Sequence, residues 1–581
     1  MSFIQLQRAG RGDQRTVYVA LATSTRLPGK KHPRQTRVHL GCLCSDGTNV
    51  AVAKSITGAL RIDVPLQSLR DQAERGGPDL LQWLAQQIPA RAPVEQSKGP
   101  AGGDGRPTTV KKIGPAFVMR NIARDLGLEE ILCECFDTGE STDGLAILYL
   151  SMYQVAECRP LYQAYAWMDE QELPAEIGEY DFASAGASRL TARIGNDHAA
   201  IDRFFRMWIK KLGSPTSLIF DTTSVSSYSN HLDFAEWGYN RDGENLPQVN
   251  ISLVSAREAR LPVYFRMLPG SIPDVSTLKV TAALLKEYGI TDHISSLDRG
   301  FYSAANLRTM IAGNIGFVVG VPHSCSQAKN LISKYRAALR SPKRSICLNG
   351  NIVRHAMDTW KVDMGKGEPA KEIAAHIYWD YNRHSGQEKE LECRVFQIEA
   401  KALADMPGGF STRADMFFWL KENARGMSCF FCPKESGGVW KIDRKARAIA
   451  VAAAKKGFSV VITTKTGADG SEILEDYRSR DTVEKLFDIF KNENGNNRLY
   501  TGNRQSVDGR LFLAFIAIII HAELENRMRK ADLLKRYSVT EMLAVLRKLE
   551  RVTMESGTGY LMELTKAQRA ILAGLAIPEP M

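Results

Sequence analysis

Long apolar runs are scarce in this chain. The longest, 511–520 (LFLAFIAIII), has ten residues. A membrane-spanning helix needs about 20, so a buried core helix is expected there and no membrane partner. The start offers no secretory signal, because Gln5 and Gln7 break up Phe3 and Ile4 at once, and a cytoplasmic protein is expected. Cysteine is sparse too. Ten in 581 residues cannot form a disulfide scaffold, and free thiols are the expectation. No phosphate-cradling GxxxxGK[ST] loop occurs, nor a GxGxxG after a strand pattern, so nucleotide-driven chemistry has no support. No fixed-period repeat is visible. What remains is ordinary globular composition, 44% apolar and 24% charged, in a chain long enough for three or four domains of roughly 100–200 residues.

Charge is unevenly placed. The net charge is +11, and residues 1–40 hold eight Lys or Arg against the single acid Asp13. A basic end attracts polyanions, of which a phosphate backbone is the commonest. A solubilising surface would look the same by charge alone. The segment is not tail-like, however: β-branched runs at 17–21 and 37–40 flank the turn-rich 28–31. This pattern predicts a basic β-meander over 1–60, with Lys30, Lys31, Arg34 and Arg37 as candidate DNA contacts.

A helix and Ala/Pro/Gly-rich linker follow over 61–110, then a helical pattern over 111–215, read as a helical DNA-binding domain. From Ser217 the character changes to strands at 217–221, 248–255 and 261–268, a helix at 275–288 and a strand at 293–298. A further helix and the strand GFVVGVP complete the segment. That order is that of a ribonuclease-H-like core, assigned to 216–324 and resumed over 456–530. The intervening 325–455, with strand candidates at 373–379, 393–398 and 438–442, predicts a mainly β insertion domain. A C-terminal helical region over 531–581 is assigned to dimerisation or DNA contact. The fold class is therefore α/β.

Asp221 and Asp298 each close an apolar strand run. Acids at the carboxyl ends of strands lie where sites in open α/β sheets form, and divalent cations relieve their repulsion. Either acid could instead simply terminate its strand. A long helix predicted over 471–492 adds Tyr477, Arg480, Glu484 and Lys491, at offsets of 0, 3, 7 and 14. At about 100° per residue these fall within roughly 60° of one another. Val483, Leu486, Phe487 and Phe490 form the opposite, core-facing side. A solvated charged face with an Arg480–Glu484 pair is the bland alternative.

Tyr477, Arg480, Glu484 and Lys491 spell Y-x2-R-x3-E-x6-K. With DTTS at Asp221, DRGFYS at Asp298 and the stretch from Gly238 to Val249, the chain resembles the YREK branch of DDE insertion-sequence transposases. The likeness is strongest over 217–325 and 455–530.

The resemblance implies a triad of Asp221, Asp298 and Glu484 holding two Mg²⁺, with Mn²⁺ able to substitute, for in-line phosphoryl transfer on DNA. It implies that Tyr477, Arg480 and Lys491, with Arg299 beside Asp298, hold DNA phosphates. The implied partners are terminal inverted repeats, target DNA and a second copy of the chain in a synaptic homodimer that excises through hairpin ends. The implied setting is a prokaryotic nucleoid. Trp440 is a candidate to stack on an extruded base. Cys429 and Cys432, a lone CxxC, read as a buried thiol pair rather than a zinc site. Competing readings are a nuclease of the same fold that does not transpose, and a transposase-derived DNA-binding protein without catalysis.

Overall fold

The computed structural model describes the chain apart from residues 1, 10–15, 26–33, 45–47, 53–62, 76–79, 81–106, 140, 230, 231, 233, 239–243, 272, 273, 292, 349, 366, 496, 497, 500–502, 555–557 and 581. Lys30 and Lys31 lie outside the described residues, as does most of the linker. The chain divides into two compact units, Met1–Asp104 and Gly105–Met581.

The first unit is an antiparallel meander, β1 (Ser2–Ala9), β2 (Thr16–Thr25), β3 (Arg34–Leu43), β4 (Asn49–Val52) and β5 (Asp63–Pro65), hydrogen-bonded in sequence order. Val19, Leu21, Leu40 and Val50 are buried on one face against Leu66, Leu69 and Ala73 of the helix Leu66–Arg75. That helix shares the meander's core, so the meander does not end at residue 60. Arg34 and Arg37 lie in β3.

The second unit is a mixed α/β body. Its central sheet runs β12 (Ser345–Leu348), β13 (Asn351–Val362), β14 (Lys371–Asp380), β17 (Phe458–Thr463), β11 (Gly316–Val321), β10 (Ile294–Leu297), β7 (Ser217–Ser227), β8 (Gln248–Ala256), β9 (Leu261–Pro269), with β18 (Arg498–Leu499) beside β7. Among the described residues, only β11, β10, β7 and β18 are joined by parallel ladders. β6 (Pro107–Lys112) pairs with β19 (Glu550–Met554), which carries β20 (Gly559–Leu561), so the C-terminal region is not purely helical.

The segment 511–520 is the centre of the helix Arg504–Lys530, buried all round as its uniform apolarity requires. It packs against Ser184–Asn196 so closely that a Cβ on Gly509 would lie 1.9 Å from the Thr191 carbonyl oxygen, and one on Gly195 equally near that of Gln505. With Phe515 of the helix Arg504–Lys530 packed on Phe265 of β9, this contact joins the helices of 114–211 to the sheet. One core runs from Ile113 to Ile577, so the helical segment is no separate domain.

The segment 325–455 differs from expectation. β12, β13 and β14 extend the central sheet rather than build a domain of their own. The rest is a mainly helical lobe: Tyr381–Asp405, Arg413–Asn423 and Ala446–Ala453, with one hairpin of β15 (Phe431–Ser436) and β16 (Val439–Arg444). Residues 393–398 are helical, not a strand. Leu391, Val395 and Ala402 recur at helical spacing on one buried stripe, and that long-range period outweighs the local Val/Phe/Ile content. The lobe has its own core, including Phe410, Met416, Trp419 and Phe431.

Candidate active site

The parallel ladder between β7 and β10 ends with Phe220 opposite Leu297. Asp221 and Asp298 come next on each strand. Neighbouring strands are about 4.8 Å apart, so the ladder sets the two acids side by side at the carboxyl edge of β10. Asp298 leaves the sheet and opens the turn Arg299–Phe301. Asp221, contrary to expectation, does not end its strand: β7 continues to Ser227, held by β8 through pairs such as Asp221 with Leu253.

The expected long helix is broken. Gly470–Arg478 and Asp481–Asp488 are separate helices with Ser479 and Arg480 at the joint, and a π-helical turn, Ile489–Glu493, carries Lys491. Ser479 Oγ donates to the Asp476 carbonyl at 2.6 Å, a local bond that competes with helix continuation. Val483, Leu486, Phe487 and Phe490 are buried.

The joint aims Arg480 into the sheet edge, where its side chain is only 15% exposed. Its guanidinium pairs with Asp298, donates to Glu484 Oε1 at 3.3 Å and lies 4.8 Å over the ring of Tyr477. Arg480 Nε is buried with no hydrogen-bond partner among the described residues. Burial alone would raise the Asp298 carboxyl. The charge of Arg480, with the backbone and side chain of Arg299, outweighs it and holds Asp298 below the usual range. Burial opposes the charged form of Arg480, but Tyr477, Asp298 and Glu484 hold its value above the ordinary one.

The donor set suits a hard divalent ion in kind, since Asp221, Asp298 and Glu484 all offer carboxylate oxygens. In the arrangement seen, Arg480 bridges Asp298 and Glu484, and among the described residues no three His, Cys, Asp or Glu side chains converge as ligands of one ion. A guanidinium stands where the charge of such an ion is needed.

Residues 213–520 match the family model for the transposase DDE domain. The chain belongs to that family. Among solved structures, a piggyBac transposase synaptic complex with hairpin DNA is similar over 74% of this chain and 79% of that one. Identity there is 9% and the TM-score 0.34. No curated protein matches the chain. Among the described residues of this DDE transposase, no helix is long and apolar enough to cross a membrane.

Several residues that position the cluster escape a reading for motifs. Gly320 lies under Tyr477 and Arg299: a Cβ there would meet Tyr477 Oη at 2.3 Å and Arg299 Cγ at 2.8 Å. Asp476, nearly fully buried, takes Arg257 at 2.5 Å and Lys465 at 3.1 Å, and Ser296 Oγ of β10 donates to its carbonyl at 2.9 Å. The Ser296 bond pins the helix to β10 one residue before Tyr477, and Arg257 and Lys465 tie it to the ends of β8 and β17. The only sequence signal was a carboxylate on the apolar side of that helix. Trp440 packs partly buried in the lobe's own core. Cys429 is exposed and Cys432 half-buried, so they are no buried thiol pair.

Proposed function

We propose that this chain is a cut-and-paste DNA transposase of the YREK branch, acting on terminal inverted repeats and target DNA as a homodimer in a prokaryotic nucleoid. The central sheet is read as a ribonuclease-H-like core and the helical lobe as its insertion. The observation that carries the reading is the bridge from Asp298 through Arg480 to Glu484, because it unites the motif helix with the strand-end acid. Asp221, Asp298 and Glu484 would hold two Mg²⁺ or Mn²⁺ ions, which supply Lewis-acid chemistry at phosphorus when bound.

Arg480 has two duties in this scheme. Before DNA engages, it neutralises Asp298 and Glu484, whose carboxylates otherwise repel. Once released from them, its planar fork can take two oxygens of a DNA phosphate, a geometry that lysine cannot reproduce. Tyr477 keeps the guanidinium plane fixed through that exchange, and its own ring is seated by Gly320. Lys491 and Arg299 add positive charge for the flanking phosphates.

The test incubates the protein with its element's inverted-repeat end and MgCl₂, then resolves the products on a denaturing gel. A hairpin end that disappears in Glu484→Gln is expected. Plain nicking without hairpins would leave a non-transposing nuclease, and binding without cleavage in Mg²⁺ or Mn²⁺ would overturn the catalytic reading.

A further inference from the structure

Beside the acid pair, at the same edge of the sheet, lies a second concave site. β11 and β17 are hydrogen-bonded neighbours, with Val321 opposite Val460. His323 follows β11 by two residues, and Lys455 and Lys456 precede β17. Between the helix Ser326–Tyr335 and the lobe helix Ala446–Ala453 opens a trough of about 680 Å³. Its rim carries His323, Lys329, Arg336, Lys455 and Lys456, and its apolar wall includes Ile332, Phe430 and Val451.

No carboxylate lines it, in a chain with 65 acidic residues. Among the described residues, none of Lys329, Arg336, Lys455 and Lys456 makes an ion pair, although surface cations elsewhere on the chain commonly do, as Lys334 does with Asp358. Arg299 and Arg383 add to the field. Desolvation by neighbouring atoms, then the charges of Arg299, Arg383 and Lys456, hold the imidazole of His323 below its ordinary value. Like charges gathered in a concavity repel one another and lower the local stability unless an anion enters.

We propose that the trough binds an unpaired stretch of DNA, with phosphates on Lys329, Arg336, Lys455 and Lys456 and bases against Ile332, Phe430 and Val451. The proposal rests on the transposase reading and gives the single strand freed at the cut a place to lie. An apolar wall under a cationic rim suits exposed bases; a duplex would present only its backbone and leave that wall uncovered.

The experiment measures binding of the full chain to a labelled single strand, its duplex and inorganic phosphate, as a function of salt. The variant is Lys329→Gln/Arg336→Gln/Lys455→Gln, all three side chains being exposed. A thermal midpoint equal to that of the parent checks folding. Each lost phosphate contact flattens the slope of log affinity against log salt by about 0.7 on single strands, so a loss of about 2 is expected. Val451→Asp should weaken single-strand binding while the duplex is bound as before. Unchanged single-strand slope and affinity would overturn the proposal. Equal losses on single strand and duplex, or displacement of the single strand by inorganic phosphate alone, would overturn the unpaired-strand assignment. Cleavage of the inverted repeat is scored separately: if the parent chain does not cleave, the proposed function falls, while the trough stands or falls on the salt slope.

Discussion

Lowering the pH should loosen the helix that carries Tyr477, through a histidine pair beneath its first turn. His355 and His376 sit on β13 and β14 with Nε2 and Nδ1 3.0 Å apart and rings stacked at 5.1 Å. Gly470 opens the helix directly above: a Cβ there would meet His355 Nδ1 at 2.3 Å, and Tyr378 Oη donates to the Gly470 carbonyl at 2.8 Å. Burial, then the charge of His355, lowers His376 from 6.5 to about 4, with Asp469 of the helix cap opposing; Arg344 adds a positive charge facing His355. Because the folded value lies below the unfolded one, the unfolded chain takes the proton first. Stability is then fully present above about pH 6.5 and is lost as pH falls towards 4.

Each tenfold rise in proton concentration within that window costs about 1.36 kcal/mol. Fully developed, the loss is about 3 kcal/mol, and by pH 4.5 it is about 2.5 kcal/mol. His376 is 1% exposed, so solvent screens little of it. Urea unfolding of the parent and of His376→Gln at a series of pH values separates this group from the other titrating residues. The difference in stability between the two proteins should shrink or reverse by about 2.5 kcal/mol on going from pH 7.5 to 4.5. Parallel losses in parent and variant would refute the reasoning.

Gly320→Ala should displace the Tyr477 ring and with it the Arg480 stack. A misplacement of about 1 Å at a reacting centre can cost around 100-fold in rate, so single-turnover cleavage should fall while the thermal midpoint holds; unaltered cleavage would count against the seat. Asp298→Ala should abolish cleavage and keep end binding in a gel shift, since under the proposed function it removes a metal-binding carboxylate and a negative charge that repels DNA. Arg480→Ala should weaken both, and equal binding with normal cleavage in the two variants would refute that division. Removing the unit Met1–Asp104, whose first 40 residues carry eight basic side chains against one acid, should flatten the salt slope on the inverted-repeat duplex by about 0.9 per lost contact. Equal slopes would assign that unit to assembly or solubility instead.

The strands that carry Asp221 and Asp298 were legible because each opens as a short, uncharged run, SLIF in one and ISSL in the other, as strands buried on both faces do. The buried side of the motif helix was legible from the helical spacing of its apolar residues. The break at Ser479–Arg480 was not, since neither residue is a helix breaker and the bend comes from a serine bonding back to Asp476 and an arginine drawn to Asp298 across the sheet edge. Nor could spacing show that β12–β14 join the central sheet, because ladder partners such as Ala375 and Ile462 lie far apart in sequence. The 393–398 error has a different origin: a six-residue window sees β-branched content but not the 25-residue helix around it.

The helical lobe leaves the sheet after Asp380 and rejoins it at Phe458, and β14 and β17 are hydrogen-bonded neighbours with Trp379 opposite Phe458. Its two stems are therefore about 5 Å apart, the span that an ordinary hairpin turn closes. Chain length between such stems costs little to vary, each doubling adding about 0.6 kcal/mol of closure entropy. With its own core and a single narrow doorway, the lobe is a cassette: it could be trimmed to a turn, or exchanged for a foreign domain, with the register of the acid-bearing strands left as it is.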